Sequence, residues 1–252
     1  RWMKIEEIEP GSRAIALKKL NLHSKLPDVI DFVPDEFIIR DDDLIRDTKN
    51  RLLGKYGSLS EAFKKIGLKS FNPRTKGLTI FSFKKIMDAL GQEWNAVKKS
   101  INTIARCGSL IKLPRELGED LFYLMGLIAS DGCISRFGPY EYRFNFINTN
   151  EDLVTLFKAT YEKIFPDRHV GIRLKEKNLA QIKRRKINSQ KKCFQCQVMN
   201  PVWGVIAEHY GMKIGSQGSW NLGKMISLPE NHIASFLAGI FDGDGSVRLR
   251  KY

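Results

Sequence analysis

Two aspartates, Asp131 and Asp244, stand in the same setting 113 residues apart. Each closes an apolar nonamer, Leu124 to Gly132 (LMGLIASDG) and Leu237 to Gly245 (LAGIFDGDG), with glycine third and the acid just before a final glycine. In a helix the third, fourth and seventh places share a face, so Gly126, Leu127 and Ser130 form one low side and Gly239, Ile240 and Gly243 another. Two such sides can pack closely. The acids then fall at helix C-terminal ends, where the macrodipole disfavours a carboxylate by about 0.3–1 kcal/mol. Placed there twice, they imply a cation at the pair. Gly132 and Gly245 are expected as left-handed caps that stop each helix after its acid. Asp242 has Ala129 as its counterpart and is not expected to be a symmetric ligand. His23, His169, His209 and His232 show no paired-ligand or triad spacing and are read as structural.

The elements around the acids follow from periodicity. Leu113-Pro114 lies 17 residues before Asp131, and Leu228-Pro229 recurs with its proline 15 before Asp244, so the duplication is longer than the nonamers. After Asp131 the period becomes two. Tyr142, Phe144 and Phe146 alternate with Arg143 and Asn145; Val170, Ile172 and Leu174 with Gly171, Arg173 and Lys175; Phe194, Cys196 and Val198 with Cys193, Gln195 and Gln197. Leu153, Leu156, Phe157 and Tyr161 mark a helix between strands, and Trp203, Ile206 and Ala207 another. The predicted fold class is α+β, in the order αββαββα. One sheet face is apolar and helix-covered; the other carries Arg, Lys, Asn and Gln, the types that reach phosphates and base edges. The candidate DNA contacts are Arg143, Asn145, Arg173, Lys175, Lys177, Lys183, Arg184, Arg185, Lys192, Gln195 and Gln197, with Arg248 and Arg250 on a strand after the second nonamer. Lys183 to Lys186 is expected in the turn between the last two strands.

The chain's formal charge is +14 over 252 residues. Residues 1 to 50 hold nine basic and eleven acidic side chains, so the excess lies beyond them, and Arg173 to Lys192 holds nine basic residues against Glu176. Phosphate neutralisation is the natural reading, with a solvated, ribosomal or membrane-surface protein as its rival. No apolar run is long enough to cross a bilayer and no signal peptide is evident, so an intracellular location is expected. Four cysteines make no disulfide scaffold, and Cys193-x-x-Cys196 has no second pair at zinc spacing.

Ahead of the sheet, residues 1–40 read as short strands broken at Pro10-Gly11, Pro27 and Pro34. Residues 41–110 read as a helical, helix-turn-helix-like module: a helix capped by Asp43 and ending at Gly54, one capped by Ser58 with Glu61 and ending at Gly67, and others at 82–90 and 92–106. The first repeat then spans 111–227 and the second begins at 228–252, where it is expected to be cut short. The opening Arg1 and the seven residues after the second nonamer predict a chain incomplete at both ends, inactive as it stands.

The two nonamers resemble the motif of the LAGLIDADG homing endonucleases, the second departing only slightly and the first keeping the glycine, the acid and the final glycine. The opening Trp2-Met3-Lys4-Ile5, Glu9-Pro10-Gly11-Ser12 and Ala14-Ile15-Ala16 resemble the end of an intein splicing-domain half. Together these resemblances imply the endonuclease region of an intein, which in intact form is a pseudo-symmetric monomer that cuts double-stranded DNA. They imply that Asp131 and Asp244 hold a divalent metal, with Mg2+ as the expected cofactor, in phosphodiester hydrolysis. Family members add a lysine three residues before the second motif's proline; Ile226 stands there, and Lys224 is the nearest candidate. The alternative is a DNA- or RNA-binding protein of maturase or transcription-regulator type that uses the same scaffold without cleaving.

Overall fold

The computed structural model describes residues 26–69, 77–106, 109–175, 178–182, 185–189 and 192–244. Of the expected β segment at 1–40, residues 1–25 lie outside these; Val29–Phe32 is a 3-10 turn and only Ile38–Ile39 (β1) is strand. Helix α1 (Asp42–Tyr56) buries Ile45, Thr48 and Leu52. Its N-cap is Asp41, whose carboxylate accepts the Leu44 N–H, so the expected cap at Asp43 is corrected by two residues. It runs past Gly54 and stops at Gly57, where φ is 76°. Helix α2 (Leu59–Ile66) starts as expected, with Ser58 accepting the Glu61 N–H, and ends at left-handed Gly67.

Strand β2 (Leu78–Thr79) leads into α3 (Ile80–Ala89), whose cap is Thr79. The helix expected at 92–106 is a second correction. Only α4 (Trp94–Val97) and a 3-10 turn form there, followed by β3 (Thr103–Arg106) and β4 (Ser109–Lys112). The β-branched Ile101, Thr103 and Ile104 favour extended backbone, and pairing puts Ile104 opposite Ile111, both fully buried. The strands make a four-stranded sheet in the order β2-β1-β3-β4, so residues 41–110 are not an all-helical module and β4 runs across residue 110.

The second layer system begins with α5 (Glu119–Asp131), then β5 (Gly132–Gly138), β6 (Glu141–Asn148), α6 (Glu151–Ile164), β7 (Ile172–Lys175), a hairpin of β8 (Asn178–Ile182) and β9 (Arg185–Ser189), β10 (Cys193–Met199), α7 (Pro201–His209) and α8 (Glu230–Asp244). The β8–β9 hairpin is an addition to the expected αββαββα order. It arises where a single basic turn was predicted, with 183–184 outside the described residues. The main sheet is antiparallel throughout, in the order β5-β6-β10-β7. Its inner row, Tyr142, Phe144, Phe146, Cys196 and Val198, is buried beneath the helices. Phe144 stacks on Trp203 of α7 at 3.8 Å, and Phe146 on Phe157 of α6 at 4.8 Å.

The two sheets share one core. Arg106 of β3 lies over the rings of Phe37 and Tyr140, the latter in the β5–β6 turn, while Phe32 packs on His209 and Tyr210. Lys98, nearly buried, bridges Asp28 and Asp31. The structure is therefore mixed α and β, and among the described residues no helix is long and apolar enough to cross a membrane.

Helices α5 and α8 form the most intimate pairing. A methyl on Gly126 would collide with the Phe236 carbonyl oxygen and stand 2.9 Å from Gly239 Cα; one on Gly239 would meet Tyr123 backbone and Leu127 N at 2.9 Å. The outer faces of the two helices differ. Leu121, Leu124, Met125 and Ile128 of α5 are buried under their own sheet, each worth on the order of 1.5–3 kcal/mol. The matching residues of α8, Ala234, Leu237, Ala238 and Phe241, are exposed, Phe241 to 65%.

Candidate metal and nucleic-acid site

The seam that joins α5 and α8 fixes the acids. Ser130 and Gly243 face each other so closely that a Cβ on Gly243 would overlap the Ser130 hydroxyl and lie 3.6 Å from Asp131 Oδ2. Both helices end on their acids, Asp131 in α5 and Asp244 in α8. Burial holds the Asp131 carboxyl above its ordinary range, and the negative charge of Asp244 raises it further; a hydrogen bond from Asn148 works the other way. The two carboxylates are thus brought near enough for the charge of Asp244 to disfavour ionisation of Asp131.

Gly132 is not the left-handed cap expected of it. Its φ of −123° and ψ of −178° are extended, and it opens β5 directly. Glycine serves close approach here: a Cβ would stand 2.7 Å from Ile128 Cα and 2.8 Å from the Asn145 carbonyl oxygen. Gly245 lies outside the described residues.

Asn148 is a site residue that sequence reasoning missed. Its side-chain N–H donates to Asp131 Oδ2 at 2.6 Å, and its Oδ1 accepts the Asn150 N–H at 2.8 Å, which fixes the amide's orientation. The signal was present: 142, 144, 146 and 148 form one alternating row, and Asn148 is the polar residue where that row calls for an apolar one. Tyr123 was missed too. Its hydroxyl donates to Asp242 Oδ2 at 2.8 Å, which ties Asp242 to α5.

The outer face of the main sheet carries the predicted polar residues. Cys133, Asn145 and Gln197 stand in register across β5, β6 and β10, as do Ile147, Gln195 and Arg173 across β6, β10 and β7. Gln195 donates to Asn145 Oδ1 at 3.1 Å, so two of the expected DNA contacts already orient each other. The Arg143 guanidinium lies over Phe137 at 4.2 Å, and its Nε has no hydrogen-bond partner among the described residues. Arg173, Gln197 and Lys192 are exposed and Lys175 is half-buried. Arg185 opens β9, whose side chains are outside the described set, and Lys177, Lys183, Arg184, Arg248 and Arg250 lie outside the described residues altogether.

Among the described contacts Lys224 meets His209 and not the acids. Its Nζ is 3.4 Å from His209 Nδ1, and it lines a concavity with Glu208 and Asn221. Glu208 in turn accepts from Tyr142 of β6 and from Arg136, which is four residues along β5 from Gly132, roughly 13 Å at 3.3 Å per residue. The lysine that does share a concavity with Gly132 and Cys133 is Lys213. Nothing in its irregular segment marked it in the sequence.

Among the described residues no cluster of three or more His, Cys, Asp or Glu side chains forms a metal cage. No protein-family model matches the chain, and no curated protein matches it.

Proposed function

We propose that the protein is a site-specific DNA endonuclease of the LAGLIDADG kind its nonamers resemble, encoded within an intein, with Mg2+ or another divalent cation bound by Asp131 and Asp244. The observation that carries this reading is the pairing of two carboxylates at the adjoining ends of two glycine-packed helices, beside a sheet face of arginine, glutamine and asparagine. A cation is the ordinary means by which two such acids remain ionised together. The donors at the pair are hard oxygens, which suit magnesium, and magnesium is commonly held by one or two carboxylates with water and substrate phosphate completing its shell. When bound, it supplies a more acidic water and polarises a phosphoryl oxygen.

The chain's own residues do the remaining work. Asn148 orients Asp131 through one carboxylate oxygen. Arg143, Arg173 and Lys175 neutralise phosphates, while Asn145, Gln195 and Gln197 offer donors and acceptors to base edges. We assign the site's amine to Lys213 in place of Lys224. The second subdomain and the pseudo-symmetric monomer belong to the same proposal.

The test is cutting of a plasmid carrying the uninterrupted host sequence by the full-length protein, with and without magnesium. Asp131→Asn and Asp244→Asn should each abolish cutting and leave DNA binding intact. Undiminished cutting by either variant refutes the assignment, and binding without cutting by the unaltered protein favours the non-cleaving reading.

A further inference from the structure

The concavity shared by Lys213 and Gly132 has a form that an amine alone does not require. Residues 211–221 fold into a closed loop, with the Asn221 N–H donating to the Gly211 carbonyl at 2.9 Å. Ile214 bridges in parallel to Ile134, and the Gly215 N–H donates to the Ile134 carbonyl at 2.7 Å, so the loop lies along the edge of β5. Between this loop, the start of β5 and the last turn of α5 is a space of about 370 Å3. Ile128 and Met212 give it an apolar floor, Ser135 and Lys213 a polar side, and Trp220, 44% exposed, an aromatic wall. Ile128, one turn before Asp131, and Gly132, bonded to it, both line the space, so it lies beside the backbone at the end of α5 that carries the acid.

We infer that this concavity receives one unstacked nucleobase of the bound DNA, next to the phosphate presented to Asp131. The inference rests on the endonuclease reading given above. A base is flat, apolar on its faces and polar at its edge, and it is attached to a phosphate. The indole offers a stacking face, the floor excludes water, the Ser135 hydroxyl can donate or accept at the ring edge, and Lys213 suits the attached phosphate. An apolar side chain from a protein partner would use the floor and leave the lysine unanswered. Unstacking costs a few kcal/mol, which a fitted pocket with an aromatic wall offsets.

Duplexes enriched from a random pool by the full-length protein provide the probe, with 2-aminopurine placed at successive positions and binding measured without divalent metal. One position should brighten on binding. Trp220→Ala should remove that rise and weaken binding roughly ten-fold, Trp220→Phe should retain both, and the melting temperature of either variant should match the parent because the residue is half exposed. No brightening at any position, or brightening that survives Trp220→Ala, overturns the pocket. Cutting is scored separately: cutting without base extrusion sinks the pocket alone, extrusion without cutting sinks the endonuclease reading alone, and absence of DNA binding sinks both.

Discussion

Gly126→Ala adds one methyl to the tightest point of the α5–α8 seam. Its Cβ would press on the Phe236 carbonyl oxygen and stand 2.9 Å from Gly239 Cα and 3.0 Å from Ile240 N. All three are backbone atoms of the facing helix, so no side-chain rotation relieves them. Ordinary carbon contacts begin near 3.5 Å, so α8 must recede by about 0.6 Å or more at the crossing. Overpacking of this kind costs about 1–3 kcal/mol, a fall in Tm of roughly 2–12 °C for a chain of this size. Asp131 lies five residues along the axis, about 7.5 Å, so the separation reaches the carboxylates. Calorimetric titration with magnesium should show weaker binding, and cutting should slow in parallel. Gly54→Ala is the control, since Gly54 lies inside α1 with nothing within 4 Å of an added Cβ; it should stabilise by about 0.5–1 kcal/mol. If Gly126→Ala melted with the parent and bound metal as well, the seam could not be what sets the distance between the acids.

Asp131→Asn should raise the metal-free Tm at neutral pH even as it abolishes cutting. The folded carboxyl titrates above its unfolded value, so its contribution favours folding in acid and is lost as pH rises through the folded value; the gain from Asn should shrink when melts are repeated at mildly acidic pH. At Lys98 burial alone would lower the pKa, but hydrogen bonds and charge from Asp31 and Asp28 outweigh it and raise it. Its contribution therefore holds at neutral pH and fades as pH rises through the folded value, and Lys98→Met should cost about 1–3 kcal/mol by urea unfolding, the aspartates being partly solvated. Tyr123→Phe removes the bond to Asp242 and should cost about 0.5–1.5 kcal/mol in the same assay, with metal affinity little changed. Lys213→Ala should slow cutting more than Lys224→Ala, measured as single-turnover rates on one substrate.

What was legible in the sequence was whatever repeats with a physical period. The low faces of the two nonamers, the aromatic row of β6 and the Ser58 and Gly67 boundaries of α2 each rest on spacing that the chain displays locally. Three consecutive aspartates at 41–43 could all cap a helix, and only the backbone distinguishes Asp41. Helix was expected at 92–106 because lysines and small residues mask the β-branched Ile101, Thr103 and Ile104, whose pairing with β4 is a tertiary matter. The Asp-Gly ending suggests torsional freedom at Gly132, whereas its role is to let α5 and β6 approach. Lys213 and Trp220 sit in an irregular loop with no period, and Asn148 was visible only as a broken alternation.

The seam between α5 and α8 also has a time dimension. Its two faces are 113 residues apart in the chain, and at about 5–20 residues per second the ribosome needs roughly 6–23 s to deliver the second after the first. Late in that interval, once β10 and α7 have been made, α5 and its sheet can form, yet the glycine face of α5 has no cover until α8 follows. Docking of α8 is then a late event onto a prepared surface, and a nascent chain stalled before residue 230 would present that groove to chaperones, a state accessible to limited proteolysis at α5.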